Sequence, residues 1–246
     1  MELLGRILYE LKWQVFCLVE WLNRTASRVG RQPFLDSAAF PWVPVVAKAT
    51  PEILEELAKV QATQVIPNFQ DISYDQEEIT TDDRWKTFFL YGYGYRDEAN
   101  CALCPATDRA LQAIPGLKTA MFSILAPGKV IPPHRGPYNG VLRYHLGLVI
   151  PDGGATSGIR VGGETRGWQV GESLIFDDSF DHEAWNHSDQ QRVVLFVDLE
   201  RPLRFPVNLM NKLVLAAIRK SRFVEEAIEN LRLHREKTGR AARMPG

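Results

Sequence analysis

The chain of 246 residues is poor in cysteine, with only Cys17, Cys101 and Cys104. An odd, small set in so long a chain excludes a disulfide-stapled secreted scaffold and favours a reducing compartment. The pair in "CALC" supplies at most half of a four-ligand zinc site. It reads as half of such a site, as a redox pair or as two small buried residues, the last being preferred. An excess of one charge is also lacking. The 29 basic and 30 acidic residues leave a formal net charge of −1, so no field of the whole molecule draws it to nucleic acid, and charge-driven binding has to be local. Long hydrophobic runs are missing as well. "MELLGRILYELKWQVFCLVEWLNR" is broken by Lys12 and Glu20 and has no small-residue cleavage site. It fits neither a membrane span of about 20 apolar residues nor a signal peptide. The expectation is a cytoplasmic protein.

What is present supports one main domain with extensions, since 45% hydrophobic residues can bury a real core. Leu4, Ile7, Leu8, Leu11, Val15, Leu18, Val19 and Leu22 recur at helical spacing, and Trp13 and Trp21 add interfacial character. This helix is expected to pack on its own domain, with a membrane surface as the other reading. "RVGRQPFLDSAAFPWVP" reads as a linker, and "TPEILEELAKVQA" as a helix with Thr50 as N-cap and Pro51 in the first position. "WKTFFLYGYGY" is β-rich, and "ATDRALQAI" is helical. Past residue 118 come short β-segments: "TAMFSILA", "RYHLGLVI", "GIRVGGE", "RGWQV", "SLIFDD", "EAWNH" and "RVVLFVDL". Strands at this spacing predict a sandwich or barrel. The C-terminus turns helical again and ends in a basic tail that reads as disordered. The organisation is an amphipathic helical segment over 1–35, a β-domain over 36–205 and a helical extension over 206–246.

Four of the five histidines, His134, His145, His182 and His187, lie in the β-rich part. His134 and His182 each end a strand-like run opened by a glycine, and two imidazoles from separate strands suit a divalent transition metal. His187 reads as a surface-turn residue and His234 as solvated.

The stretches "FSILAPGKVIPPHRGPYNGVLRYHLGLVIP", "ETRGWQVGESLIFDDSFDHEAWN" and "RVVLFVDLERP", with "WKTFFLYGYGY" and "NCALCPAT" upstream, resemble the aspartyl/asparaginyl β-hydroxylase family of Fe(II)- and 2-oxoglutarate-dependent oxygenases, in its bacterial form. The resemblance covers roughly residues 80–203 and implies a mainly β fold with flanking helices around a double-stranded β-helix, the jelly roll shared with cupins. Two cupin motifs are visible in part: Gly128 with His134 and Gly136, and Gly171 with His182 and Asn186. The resemblance implies His134 and His182 as the catalytic, metal-binding pair and the only protein ligands of Fe(II), with 2-oxoglutarate chelating the iron. Water fills the position beside Gly136, where relatives in the wider class carry an acidic ligand. Asp177, Asp178 and Asp181 are the alternative carboxylates. Ser123 and Arg192 are implied to bind the distal carboxylate of 2-oxoglutarate, and Arg143 and His145 to line the cofactor and substrate side. For Arg192 the chemistry agrees, because a guanidinium gives a carboxylate a bidentate, charge-assisted grip. Phe122, Phe176, Phe180 and Trp185 are expected to exclude water.

The implied reaction consumes O2 and 2-oxoglutarate and hydroxylates an unactivated C–H, in an aspartyl or asparaginyl residue, a small molecule or a lipid acyl chain. Family members that modify protein domains resemble "RLR" before "HLGL", whereas this chain has Val141 in place of the first arginine. With Arg143 as the single remaining anion contact, a small or lipid-like anionic substrate is expected. The terminal helices, with Lys212, Arg219, Lys220 and Arg222, are expected to cap the jelly roll or to form a homodimer interface. The other reading lays them on the cytoplasmic face of a membrane. The alternative to an enzyme is a non-catalytic cupin-like module that binds metal or 2-oxoglutarate as a sensor or scaffold.

Overall fold

A computed structural model describes residues 2–241, with the side chains of residues 2–12, 75 and 239–241 left aside. The far end of the basic tail, residues 242–246, lies outside the described residues. Two antiparallel sheets face each other. Helices α1 (Glu2–Ala26), α2 (Val43–Lys48), α3 (Thr50–Thr63), α4 (Phe69–Ile72), α5 (Glu98–Leu103), α6 (Pro105–Gln112), α7 (Val207–Arg219) and α8 (Arg222–Ala241) surround them. The strands are β1 (Phe34–Leu35), β2 (Trp85–Gly92), β3 (Tyr95–Arg96), β4 (Leu117–Leu125), β5 (Val130–His134) and β6 (Val141–Val149). They continue with β7 (Ser157–Val161), β8 (Glu164–Arg166), β9 (Ser173–Phe176), β10 (His182–Asn186) and β11 (Arg192–Glu200).

The larger sheet runs β1-β9-β6-β11-β4-β2-β3 and the smaller one β5-β10-β7-β8. From β4 onward the chain crosses from sheet to sheet, and β11 returns to lie between β4 and β6. That path is the expected jelly roll.

Period-2 alternation divides the residues of the large sheet between two cores. Ala120, Phe122, Ile124, Leu142, Tyr144, Leu146, Val193, Leu195 and Val197 belong to the core shared with Ile53, Leu57 and Val60 of α3 and Leu111 of α6. Met121, Leu125, Val194, Phe196, Phe176 and Trp168 fill the space between the sheets. Ser123, Arg143, His145 and Arg192 fall at the same alternation as this second set, so they point into the barrel.

β5, the strand-like run before His134, carries Pro132 and Pro133 because it is an edge strand, where a missing N–H costs no ladder bond. Several expectations need correction. "RGWQV" is mostly loop, touching β6 only through the bridge between Gly147 and Val170. The supposed linker is anchored, because Phe34 and Leu35 pair with β9, and Phe40 and Trp42 are buried. Thr50 is the first helical residue and not a cap; its hydroxyl donates to Ala47 O at 2.6 Å. His234 accepts no purely aqueous role, since its Nε2 lies 2.9 Å from Val65 O where α8 docks. Cys101 and Cys104 are buried and unpaired, and burial pushes both thiols up to about 12. Unreactive packing residues fit this better than a redox pair.

Candidate active site

β5 and β10 are neighbours with His134 directly opposite His182, and the two rings lie 4.1 Å apart between centroids. Each ring is oriented by its own backbone. Nδ1 of His134 sits 2.8 Å from Pro132 O, and Nδ1 of His182 sits 3.0 Å from Phe180 O. A carbonyl can only accept, so Nδ1 carries the proton and Nε2 keeps its lone pair, the tautomer a metal ligand requires. Burial first, then the His134 and Arg143 neighbours, pulls His182 down to about 3, and burial also lowers His134. Both imidazoles are neutral at pH 7.

No third His, Cys, Asp or Glu joins this pair in a metal-sized cluster among the described residues. The three nearby aspartates have other work. Asp177 forms a fully buried ion pair with Arg201 at 2.5 Å and accepts from Ser179 N and Oγ. Asp181 pairs with Arg160 at the surface. Asp178 is buried against the α-carbon of Gly136: a Cβ on that glycine would stand 2.2 Å from Asp178 Oδ2. Gly136 N also donates to Asp178 O at 2.8 Å. The Asp178 carboxylate thus occupies the space that a side chain at position 136 would need. Burial raises Asp178 to about 6, against the pull of Arg143. Its Oδ1 has no partner among the described residues.

This contact makes the glycine a steric requirement. Gly136→Ala is expected to cost about 1–3 kcal/mol of stability, the usual penalty of forcing atoms into a filled core. Thermal unfolding checks it, and an unchanged midpoint would show that the Asp178 contact yields freely.

Arg143 is tied on two sides, to Asp178 at 2.9 Å and to Asp198 at 2.9 Å, and lies 4.3 Å over Phe196. Its charge is therefore matched inside the protein, which removes the argument that it is a spare anion contact. Arg192 is different. It is 2% exposed, and its Nε and Nη1 have no hydrogen-bond partner among the described residues. Its guanidinium lies 4.5 Å over Trp168. Burial alone drags it down to about 9, far below an ordinary arginine. A buried cation with no counter-charge is expensive, and an anionic ligand would supply the missing charge. His145 is equally bare: neither ring nitrogen has a partner, and Phe176, Phe196 and Trp168 surround it at centroid distances of 5.0, 5.2 and 5.9 Å. Burial, then the Arg192, Arg143 and His182 charges, holds it well below the normal histidine range. Ser123 Oγ accepts from Trp85 Nε1 at 3.0 Å, which leaves its own proton to donate. These groups fit an anionic cosubstrate beside a metal held by two histidines.

The neutral histidines have a cost in acid. Unfolded, His134, His145 and His182 take up protons near the ordinary value of 6.5, whereas the folded protein keeps them neutral. Stability is therefore present above about pH 6.5 and is lost as the pH falls, by up to about 1.4 kcal/mol per pH unit for each histidine. Asp178 works the other way, since the fold takes up its proton near 6. It offsets one of the three histidines. Denaturant titrations of metal-free protein at pH 7.5 and 5.5 should show this loss, and a His182→Leu variant should show a shallower one. Equal slopes would mean the rings are protonated in place.

The remaining predicted residues divide between the two cores. Phe176 lies in the barrel, 6.1 Å from His182. Phe122 instead belongs to the other core, stacking on Phe88. Trp185 lies against Gly158 and stacks on exposed His187. Asn186 is a brace, donating to Leu125 O, Ala126 O and Gln190 O. Trp168 went unread in the sequence. The loop that carries it crosses β6 so closely that a Cβ on Gly147 would meet Gln169 O at 2.1 Å; the glycine of "HLGL" is the trace it leaves.

Beside His134 opens a cavity of about 350 Å³, within the range of small-ligand sites, about 300–1,000 Å³. Its lining includes Gly136, Arg143 and Phe196, the apolar Phe69, Phe89 and Met121, Phe223, Ala227 and Leu231 of α8, and the polar Gln76, Glu78 and Asp198.

A jelly roll with two histidines facing each other across adjacent strands is a fold of the cupin type. Within it the match is specific: the family model for aspartyl/asparaginyl beta-hydroxylase fits residues 47–202, and the chain belongs to that family. An ornithine lipid ester-linked acyl 2-hydroxylase of Rhizobium tropici is 49% identical over 217 residues, covering 87% of this chain and 77% of that protein. The aspartyl/asparaginyl beta-hydroxylase of Homo sapiens is 39% identical over 133 residues, covering 52% of this chain but only 17% of that protein. Among solved structures, a prolyl hydroxylase of Trichoplax adhaerens is a distant likeness, at TM-score 0.45 and 12% identity, covering 63% of this chain and 79% of that one.

Proposed function

We propose that the protein is an Fe(II)- and 2-oxoglutarate-dependent hydroxylase whose substrate is the acyl chain of a membrane lipid. The observation that carries the cofactor reading is Arg192, a buried guanidinium without an anion among the described residues, set in the same barrel as two neutral histidines whose rings lie 4.1 Å apart. His134 and His182 would hold the iron. Arg192, Ser123 and His145 would hold 2-oxoglutarate, the first by its distal carboxylate. When bound, iron and 2-oxoglutarate would supply, with O2, oxidative decarboxylation to succinate and CO2, one oxygen atom going to succinate and the other into a C–H bond of the substrate.

The protein's own part is placement and exclusion. Pro132 O and Phe180 O fix the two rings. Phe176, Phe196 and Trp168 keep water from the barrel, which strengthens every charge contact within it. Asp178 Oδ1 is left to accept from a water or substrate group beside the metal. A sensor or scaffold would have no use for a cavity beside His134 with so many apolar side chains in its wall.

For the substrate, the support is that cavity and the acyl-lipid relative at 49% identity. Phe69, Phe89, Met121, Ala227 and Leu231 offer apolar surface to a chain that an aspartyl side chain would not use. Ala227→Trp should fill the cavity. Turnover of acyl lipid is then expected to fall about tenfold or more, while stabilisation by 2-oxoglutarate stays as in the wild type. Lipid extracts incubated with Fe(II), 2-oxoglutarate and O2 and read by mass spectrometry test the reading. Turnover of aspartyl or asparaginyl peptides alone would overturn it.

A further inference from the structure

We infer that α1 and α7 form a docking face for an anionic lipid bilayer, placing the mouth of the cavity at the membrane. The inference deepens the acyl-lipid reading and rests on it for its purpose, although lipid binding can be measured without turnover. Leu18 and Trp21 on α1 are 53% and 59% exposed; Leu209 and Leu213, one turn apart on α7, are 51% and 73% exposed, and Phe205, just before that helix, is 76% exposed. The two helices are locked together on their other sides. Asn23 donates to Tyr138 OH at 3.1 Å, Tyr138 OH donates to Asn211 Oδ1 at 2.6 Å, and Arg204 N donates to Ala26 O at 2.9 Å. The exposed apolar residues are thus held in place with nothing over them.

Charge identifies the occupant. Residues 21–35 contain three basic and no acidic residues, and residues 201–224 contain six basic and none acidic, in a chain whose net charge is −1. A bridge between Ser27 and Leu203 joins the two stretches into one surface. Only Arg201 of these nine is withdrawn into a buried ion pair. Arg28, Arg31, Arg204, Lys212, Lys220 and Arg222 are exposed. Apolar and tryptophan side chains amid cations are the chemistry of an interfacial helix on anionic lipid. A second copy would fit poorly, because a twofold interface would bring the two basic surfaces together without acidic partners.

The face also adjoins the site. Tyr138, held by both helices, follows Arg135, Gly136 and Pro137, which line the cavity. Arg24 on α1 stands 6.0 Å over Phe180, two residues before His182. A lipid drawn from the bilayer would have little distance to cover.

The test is cosedimentation of the full chain with phosphatidylcholine vesicles, with and without phosphatidylglycerol and free of substrate lipid. Phosphatidylglycerol should raise binding at least tenfold, since each basic side chain near the surface adds about fivefold, and salt should reverse the gain. Trp21→Glu with Leu213→Glu should cut binding at least tenfold, leaving thermal unfolding and turnover of detergent-dispersed lipid unchanged. Equal binding by variant and wild type, or a solution dimer that the variant dissociates, would overturn the inference. Vesicle binding without hydroxylation of any lipid would sink the acyl reading alone. Turnover of dispersed lipid without vesicle binding would sink the docking face alone.

Discussion

In His182→Ala protein, retention of Fe(II) is expected to be lost and turnover to fall by at least about a thousandfold. The size follows from the small donor set. With no third His, Cys, Asp or Glu beside His134 and His182 among the described residues, removing one imidazole takes half of the protein's hold on the metal, and a catalytic metal is worth several kcal/mol of transition-state stabilisation. His134→Ala should behave alike. Folding should survive, because a neutral ring in a low-dielectric site contributes little beyond packing. Metal content after desalting, read beside a thermal melt, separates the two effects. A folded variant that keeps iron would show that one of Asp177, Asp178 or Asp181 moves onto the metal.

Arg192→Met is expected to split stability from function in an unusual direction. Removing an uncompensated buried cation in favour of an apolar side chain of similar length should leave the ligand-free protein as stable or raise it by about 1–4 kcal/mol. The 2-oxoglutarate KM should rise roughly tenfold to more than a hundredfold, at about 1.5–3 kcal/mol for each charge-assisted hydrogen bond lost. Wild-type protein at a hundredfold excess of 2-oxoglutarate over its Kd should gain about 2.7 kcal/mol, and the variant should gain almost none. A variant that unfolds more easily yet keeps the cosubstrate shift would make Arg192 a structural residue.

The candidate site residues were legible because they are rare types in fixed places: two histidines each closing a glycine-opened strand, and an arginine opening the next. What surrounds them was less so. Asp178 looks like a spare ligand in "FDDSFD", and nothing local says that its partners are Arg143 and Gly136, which come from strands distant in the chain. Trp168 was hidden because Arg166–Val170 alternates like a strand, whereas glycines at 147 and 154 let it run as a loop across β6. The amphipathic pattern of α8 announced a buried face, yet which surface it covers is a property of the fold. Here that surface is the wall of the cavity.

Succinate formation from 2-oxoglutarate by purified protein with Fe(II) and acyl lipid, in air and under nitrogen, tests most directly whether the barrel is a working oxygenase site. The expected result is succinate that requires O2, matched by lipid heavier by one oxygen atom, both absent in His182→Ala protein. Tight binding of Fe(II) and 2-oxoglutarate with no oxygen-dependent succinate, whatever substrate is offered, would contradict it and leave a binding module.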